Sequence, residues 1–352
     1  MKVINLLQDL LPSGLERMLA SSSEEWAKSG VEMVIVAQGP TMLFEPNLHA
    51  VGYEILHIRP ITKLAGMWDW ARTVRNSGAD VIHLHSESQV AAAILLSKLA
   101  NRKIPIVRTV HSVFNASGYW GLKRRIYRFA SEWAVSANIA VSQYVQFIEE
   151  RFHRKCTVIS NWVDKKYTDS GLTDSIRCSN DLALVGNCST IKNHNVVLKA
   201  ALTEGIAVHH LGDEAAISEE ELSLLHELET RGLLQSRGVA DPLAILSSGV
   251  IFAMPSLLEG LGISLAEAIC LGNACIVSSA PSLDWSGDFE SVLRADPESA
   301  ASWSAAYNYI TAQAASERTS AGLVSREAAR ERFSVSAGVR AYIDLYIGIG
   351  KI

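Results

Sequence analysis

The sequence reads as an α/β protein made of two successive parallel sheets, each covered by helices. Three observations say so. The length of 352 residues exceeds one ordinary core and suits two domains of about 150 residues each. Short Val/Ile/Leu runs alternate with longer helical patterns, as expected for strands buried on both faces of a parallel sheet. The rhythm breaks once, in a polar stretch, and then restarts.

In chain order, Val3 to Leu7 reads as a buried strand and Gly14 to Ser29 as the helix after it. Val31 to Ala37, Val81 to Leu84, Ile104 to Val110 and Ile139 to Val141 read as further strands with helices between. Lys165 to Ser179 is rich in Ser, Thr, Asp and Lys and has no apolar period, so it reads as a linker. Leu182 to Val185, Ala207 to Leu211, Val250 to Met254 and Ala274 to Val277 are the strands of the second half, and the chain from Glu298 on is mostly helical. The domains are therefore placed at 1–165 and 166–335. A last helix at about 336–352 is able to pack back on the first domain.

Composition narrows the function. The 48% apolar and 20% charged content is that of a soluble globular chain, and a net charge of -5 argues against nucleic acid as a partner. Five cysteines, with no C-x-x-C pair, fit a reducing compartment better than a disulfide framework. The N-terminal stretch lacks the pattern of a secretory signal. Apolar runs such as Val90 to Leu96 fall far short of the ~20 residues of a membrane span. The expected location is the cytoplasm, with contact to the inner face of a membrane allowed.

The segment most suggestive of chemistry is Pro255-Ser-Leu-Leu-Glu-Gly-Leu-Gly-Ile-Ser-Leu-Ala-Glu267. A strand ends near Met254, a loop with Gly260 and Gly262 follows, and a helix begins near Gly262 or Ile263. Glycines let backbone amides approach an anion, and a helix N-terminus adds unsatisfied donors and partial positive charge. Such a turn can hold a diphosphate without a metal. Glu259 and Glu267 beside it are suited to gripping sugar hydroxyls, because a carboxylate accepts two protons at once. The plainer alternative is a strand–turn–helix joint with one capping and one surface acid.

The Glu259 to Glu267 spacing and its setting resemble the E-x7-E motif of retaining glycosyltransferases of family four, with Leu261 in place of the usual aromatic. Other segments resemble that family in the right order. Ser13-Gly14-Leu15-Glu16-Arg17 is similar to its GGxER loop, Val110-His111 to TxH, and Ala140-Val-Ser142 to AVS. Val158-Ile-Ser-Asn161-Trp-Val-Asp164 is similar to VIPNGVD, and Val185-Gly186-Asn187-Cys-Ser-Thr-Ile-Lys192-Asn193 to VGRLxxxKG. The resemblance covers nearly the whole chain and implies the GT-B fold, two Rossmann-like domains with a deep interdomain cleft. It implies a hexosyltransferase drawing on a UDP- or GDP-sugar.

By that resemblance, Gly14, Gly186, Asn187, Lys192, Arg237, Glu259, Gly260, Leu261, Gly262, Ile263 and Glu267 hold the donor, and His111, Glu259 and Lys192 act at the reacting centre. Glu267 takes the ribose hydroxyls and Glu259 those of the sugar. The sequence departs from the family at Ser13, where a second glycine is usual, and at Asn187, where the phosphate clamp has Arg. Lys192 remains as a point charge for the leaving diphosphate, and Arg237, in a Ser236-Arg237-Gly238 turn, is the nearest spare cation of the second domain.

Other residues have plainer readings. His83 and His85 share one strand face but lack a third ligand of suitable spacing, so they read as a core or cleft pair. His209 and His210 read as strand-end residues, and no metal or other cofactor is expected. Tyr119 to Phe129 reads as a helix whose Lys123, Arg124, Arg125 and Arg128 face an anionic membrane or a lipid-linked acceptor. The expected acceptor is a glycan or lipid-linked glycan, as in bacterial surface polysaccharide synthesis. A GT-B sugar-nucleotide epimerase and an inactive nucleotide-sugar-binding relative remain as alternatives.

Overall fold

The computed structural model describes residues 1–85, 89–113, 134–151, 155–169 and 178–350. The chain divides into two compact units, Met1–Trp162 with Val335–Ile352, and Val163–Ser334.

The first unit runs β1 (Lys2–Leu7), α1 (Gly14–Lys28), β2 (Glu32–Ala37), α2 (Glu45–Ala50), β3 (Glu54–His57), α3 (Leu64–Asn76), β4 (Val81–Leu84), α4 (Val90–Ala100), β5 (Ile106–Val110), β6 (Ala137–Ala140), α5 (Gln143–Glu150) and β7 (Cys156–Val158). Its seven strands pair in the order β3-β2-β1-β4-β5-β6-β7, with every pair parallel. The central strands carry no polar alternation because helices cover both faces; β4 is buried at all four positions. The edge strands Glu54–His57 and Cys156–Val158 are short and partly exposed, so they leave little apolar signal in the sequence. β5 starts at Ile106 rather than Ile104, consistent with Pro105 having no N–H to give a neighbouring strand.

One face of this sheet is closed by the C-terminal helix, Val335–Gly350, which lays Val335, Val339, Tyr342 and Tyr346 into a core with Trp26 and Trp162. Trp162 donates its indole N–H to the Met18 carbonyl at 2.9 Å, and Tyr346 stacks on Trp26 at a 6.3 Å centroid distance. Gly338 is where this helix passes Trp162. A Cβ there would lie 2.2 Å from a carbon of the indole ring, so the close approach needs glycine.

The second unit runs α6 (Lys165–Thr168), β8 (Leu182–Val185), α7 (His194–Glu204), β9 (Val208–Leu211), α8 (Glu219–Thr230), β10 (Leu234–Gly238), α9 (Leu243–Leu246), β11 (Ile251–Met254), α10 (Ile263–Cys270), β12 (Cys275–Ser278), a 3-10 helix (Pro281–Asp288), β13 (Val292–Ala295), α11 (Ala300–Ala312) and α12 (Ala315–Phe333). Its six strands pair in parallel in the order β10-β9-β8-β11-β12-β13. The stretch read as a linker opens instead with the short helix α6, capped by the Asp164 side chain. Ser236-Arg237-Gly238, read as a turn, lies in β10. No helix among the described residues is long and apolar enough to cross a membrane.

Each sheet reverses its winding at one place, between β1 and β4 in the first unit and between β8 and β11 in the second. Loops leaving the carboxyl ends of strands diverge there and open a crevice for ligands.

Candidate functional site

In the second unit, the loops after β8 and β11 flank the winding reversal and carry most of the residues singled out from the sequence. β8 ends at Val185, and Gly186 to Asn193 lead into α7. β11 ends at Met254, and Pro255 to Gly262 lead into α10. The two loops are tied together. Leu257 donates its backbone N–H to the Ile191 carbonyl at 2.8 Å, and Ser264 gives its hydroxyl to the Val185 carbonyl at 3.2 Å.

Asn193 is the one non-glycine residue among those described with a left-handed backbone, at φ 54°. Asparagine tolerates that conformation better than most residues. Its side-chain amide reaches both the Pro255 and the Pro297 carbonyls, at 3.3 and 2.8 Å. The turn therefore ends in a fixed position. Lys192 lies in this turn, two residues ahead of α7, rather than heading the helix as the sequence suggested.

Across the gap, the Lys192 Nζ donates to Glu259 Oε1 at 2.6 Å, with the two side chains 26% and 13% exposed. Glu259 is held from behind, its backbone N–H bonded to Ser282 Oγ at 3.0 Å. The Leu261 carbonyl accepts the Trp285 indole N–H at 2.9 Å, and the Leu261 side chain is buried. Gly262, at φ 85°, forms the N-cap of α10 in a left-handed conformation that a side chain would strain. A Cβ on it would also meet the Met254 sulfur at 3.0 Å. The amides at the start of α10 have no carbonyl within the helix to donate to. Glu267 follows one turn on, half-buried.

Thus Gly186, Lys192, Glu259, Gly260, Leu261, Gly262, Ile263 and Glu267 lie on the two loops and first helix turns at one sheet edge. Asn187 is at the same edge but exposed, where its side-chain oxygen accepts the Asp213 backbone N–H at 3.1 Å. Arg237 is not a spare cation. Its guanidinium makes two parallel bonds of 2.8 Å to the Glu214 carboxylate, which hold the Glu214 carboxyl below its ordinary range.

The first unit presents different chemistry at the carboxyl ends of its strands. Gly14 begins α1 and is exposed, behind Ser13, whose hydroxyl caps the helix and bonds to Glu16. The Glu16 carboxyl is raised by burial, against the bond from Ser13. His111 follows β5 and joins a chain of imidazoles. His85 Nδ1 lies 2.9 Å from His111 Nε2, His85 Nε2 3.2 Å from Asn5 Oδ1, and the His83 and His85 rings are 4.0 Å apart. His83 is anchored in the core by Tyr346 at 2.6 Å and Thr109 at 2.7 Å. Burial, more than mutual repulsion, lowers all three rings: His83 to about 3, His111 to about 4, and His85 well below its ordinary value. The sequence allowed His111 a value near working pH; its surroundings hold it neutral instead. His111 Nδ1 is buried with no partner among the described residues.

Lys123, Arg124, Arg125 and Arg128 lie outside the described residues, as does the whole helix read from Tyr119 to Phe129. The fastening of the second-unit loops by Asn193, Ser264 and Ser282 was not read from the sequence. The only signal was Asn193 itself, a residue type that favours the left-handed region, in a turn before a helix.

Residues 12–167 match the family model described as Glycosyltransferase Family 4. No curated protein matches the sequence. Among solved structures, Alr3699/HepE from Anabaena in complex with UDP has a TM-score of 0.80 at 16% identity, over 98% of this chain and 99% of that one. Sucrose-phosphate synthase from Thermosynechococcus elongatus gives 0.73 at 13% identity, over 99% and 98%. TarM gives 0.77 at 9% identity, over 98% of each chain. Identities this low speak for the fold, and the fold agrees with two doubly wound parallel sheets. Residues 12–167 are thus similar to Glycosyltransferase Family 4, and the chain as a whole has the two-domain α/β fold of these GT-B structures.

Proposed function

We propose that this protein transfers a hexose-type sugar from a UDP- or GDP-sugar to a hydroxyl of a glycan or lipid-linked glycan, with retention at the anomeric carbon. One observation carries the reading: a lysine and a carboxylate, Lys192 and Glu259, bonded at 2.6 Å beside a helix start capped by a left-handed glycine. The pair is complementary to a donor whose diphosphate needs a cation and whose sugar needs an acceptor of hydroxyl protons. The similarity to HepE, solved with UDP and with UDP-glucose, supports a nucleotide-diphosphate donor.

In the reaction, the bond from the anomeric carbon to the diphosphate oxygen breaks, negative charge grows on the leaving phosphate, the acceptor hydroxyl oxygen bonds the anomeric carbon, and its proton passes to the leaving diphosphate. Lys192 would turn from Glu259 to that charge, and the first amides of α10 would add their dipoles without reorganising. Glu259, released, would accept the donor sugar's hydroxyl protons, and Glu267 those of the ribose. No step calls for a metal at this edge. His111, neutral, would act as a hydrogen-bonding group toward the sugar and not as a cation. Retention follows from the family resemblance, and among the described residues no carboxylate is singled out as a nucleophile, which favours substitution on one face of the sugar. Surface polysaccharide synthesis at the inner face of a membrane is the setting we assign, on the same resemblance.

The test is a transfer assay with UDP- and GDP-hexoses on glycan and lipid-linked acceptors, with NMR of the earliest product. The expected product keeps the donor's anomeric configuration. Inversion would overturn retention, and turnover of the donor to an epimer without acceptor would overturn transfer itself.

A further inference from the structure

Four buried side chains of the second unit converge behind the turn that carries Lys192. Cys188, His194, His210 and Glu221 each offer one ligand atom, and these atoms lie within 4.8 Å of one another, a grouping without parallel among the described residues. His194 Nδ1 is 2.8 Å from Glu221 Oε1, and His210 Nε2 is 3.1 Å from the same oxygen. The two ring nitrogens are 3.2 Å apart, and Cys188 Sγ is 3.9 Å from His210 Nε2. None of the four residues is more than 3% exposed. His210 Nδ1 has no partner, so the ring's polar contacts all run through Nε2, on the side of the cluster.

We propose that Cys188, His194, His210 and Glu221 bind one structural zinc ion. Tetrahedral zinc, with bonds of ~2.0–2.3 Å, sets its ligand atoms roughly 3.3–3.8 Å apart, so these four need shift by only about half an ångström. A thiolate, two imidazoles and a carboxylate form a borderline-soft donor set that suits zinc over magnesium or calcium. One thiolate and one carboxylate also neutralise the ion's charge, as a dry site requires. With all four positions filled by protein, the site has no place for a substrate and is structural. On binding, the Cys188 thiol proton leaves to solvent as the sulfur–zinc bond forms. Each imidazole stays neutral, its proton on the ring nitrogen that does not bind. This departs from the expectation that the chain holds no metal and that His210 is only a strand residue.

The ligands come from four places: the loop after β8, the start of α7, β9 and α8. Cys188 and His194 bracket Ser189 to Asn193, so the ion would pin the Lys192 turn at both ends to the neighbouring strand and helix. That consequence rests on the sugar-transfer reading; the zinc assignment does not.

The experiment uses the full chain expressed with zinc in the medium. Metal content is measured by mass spectrometry, and zinc is then exchanged for cobalt and the absorption spectrum recorded. About one zinc per chain is expected, with a cobalt–thiolate band and tetrahedral d–d bands. The thiolate band should vanish in Cys188→Ser and persist in Cys178→Ser, where the cysteine is the most exposed of the five. A wild type without zinc, without the thiolate band, or with a band that survives Cys188→Ser would overturn the proposal. If Cys188→Ser does not fold, the wild-type spectrum and the protection of one thiol from alkylation only while zinc is bound decide the matter. Nucleotide binding is no part of this readout, so failure of the zinc site and failure of the donor site are told apart.

Discussion

The two units share one winding order and put different electrostatics, charged and neutral, at the same topological place. In the second, the loops at the winding reversal present a lysine, Lys192, bonded to Glu259, with Glu267 one helical turn on. In the first, the corresponding edge presents His85 and, one strand over, His111, imidazoles that burial keeps neutral. A doubly wound sheet fixes where ligands go and leaves their chemistry to the loops. Under the proposed function, the diphosphate goes to the edge that carries the cation and the two carboxylates. A neutral edge suits hydroxyls that must be held without being charged.

The largest effect expected from this contrast is on Lys192. Lys192→Ala should lower kcat/KM by about 10²–10³, the scale for removing one preorganised group that stabilises leaving charge. Steady-state kinetics would show it, and an unchanged kcat/KM would move the diphosphate elsewhere. Next comes the first unit's core. Gly338→Ala forces a methyl into the Trp162 ring and should cost about 1–3 kcal/mol in urea unfolding. Nucleotide affinity should stay the same, because the lesion lies in the other unit.

Glu267→Ala should weaken nucleotide binding by about tenfold, in keeping with ~1.5–3 kcal/mol for hydrogen bonds to a charged group less what water restores. The ring of His111 predicts an acid window. Its value drops from 6.5 to about 4 on folding, so the unfolded chain takes up a proton first. Stability should be whole above pH 6.5, fall as pH drops toward 4, and lose no more from this group below that. His111→Gln should flatten the slope by at most about 1.4 kcal/mol per pH unit, measured by unfolding at several pH values. The smallest effect belongs to Arg237→Ala. Its partner is Glu214, and a partly exposed pair contributes ~1 kcal/mol or less, so nucleotide affinity should change less than fivefold.

The strongest sequence signals were those with a short-range cause. Short, mostly apolar runs at β1, β4, β8 and β11 are strands buried on both faces, and the Gly260–Gly262 loop is a turn that glycine permits. The edge strands β3, β7, β10 and β13 escaped because one side of each is exposed, which lets polar residues in. Arg237 escaped for the same reason: in β10 it alternates outward and meets Glu214, 23 residues away. The bonds from Asn193 to Pro255 and Pro297 join residues 62 and 104 apart, and the cluster of Cys188, His194, His210 and Glu221 joins a loop, a strand and two helices. No spacing rule reaches across such separations, because the parallel crossovers that bring them together are themselves built of helices and loops of variable length.

The deciding measurement is a calorimetric titration of the full chain with UDP and GDP, with and without added magnesium, on wild type and on Glu267→Ala and Lys192→Ala. One nucleotide should bind wild type equally well in both buffers and bind each variant more weakly. Binding that requires magnesium, or that ignores both substitutions, would contradict a donor site built from Lys192, Glu259 and Glu267.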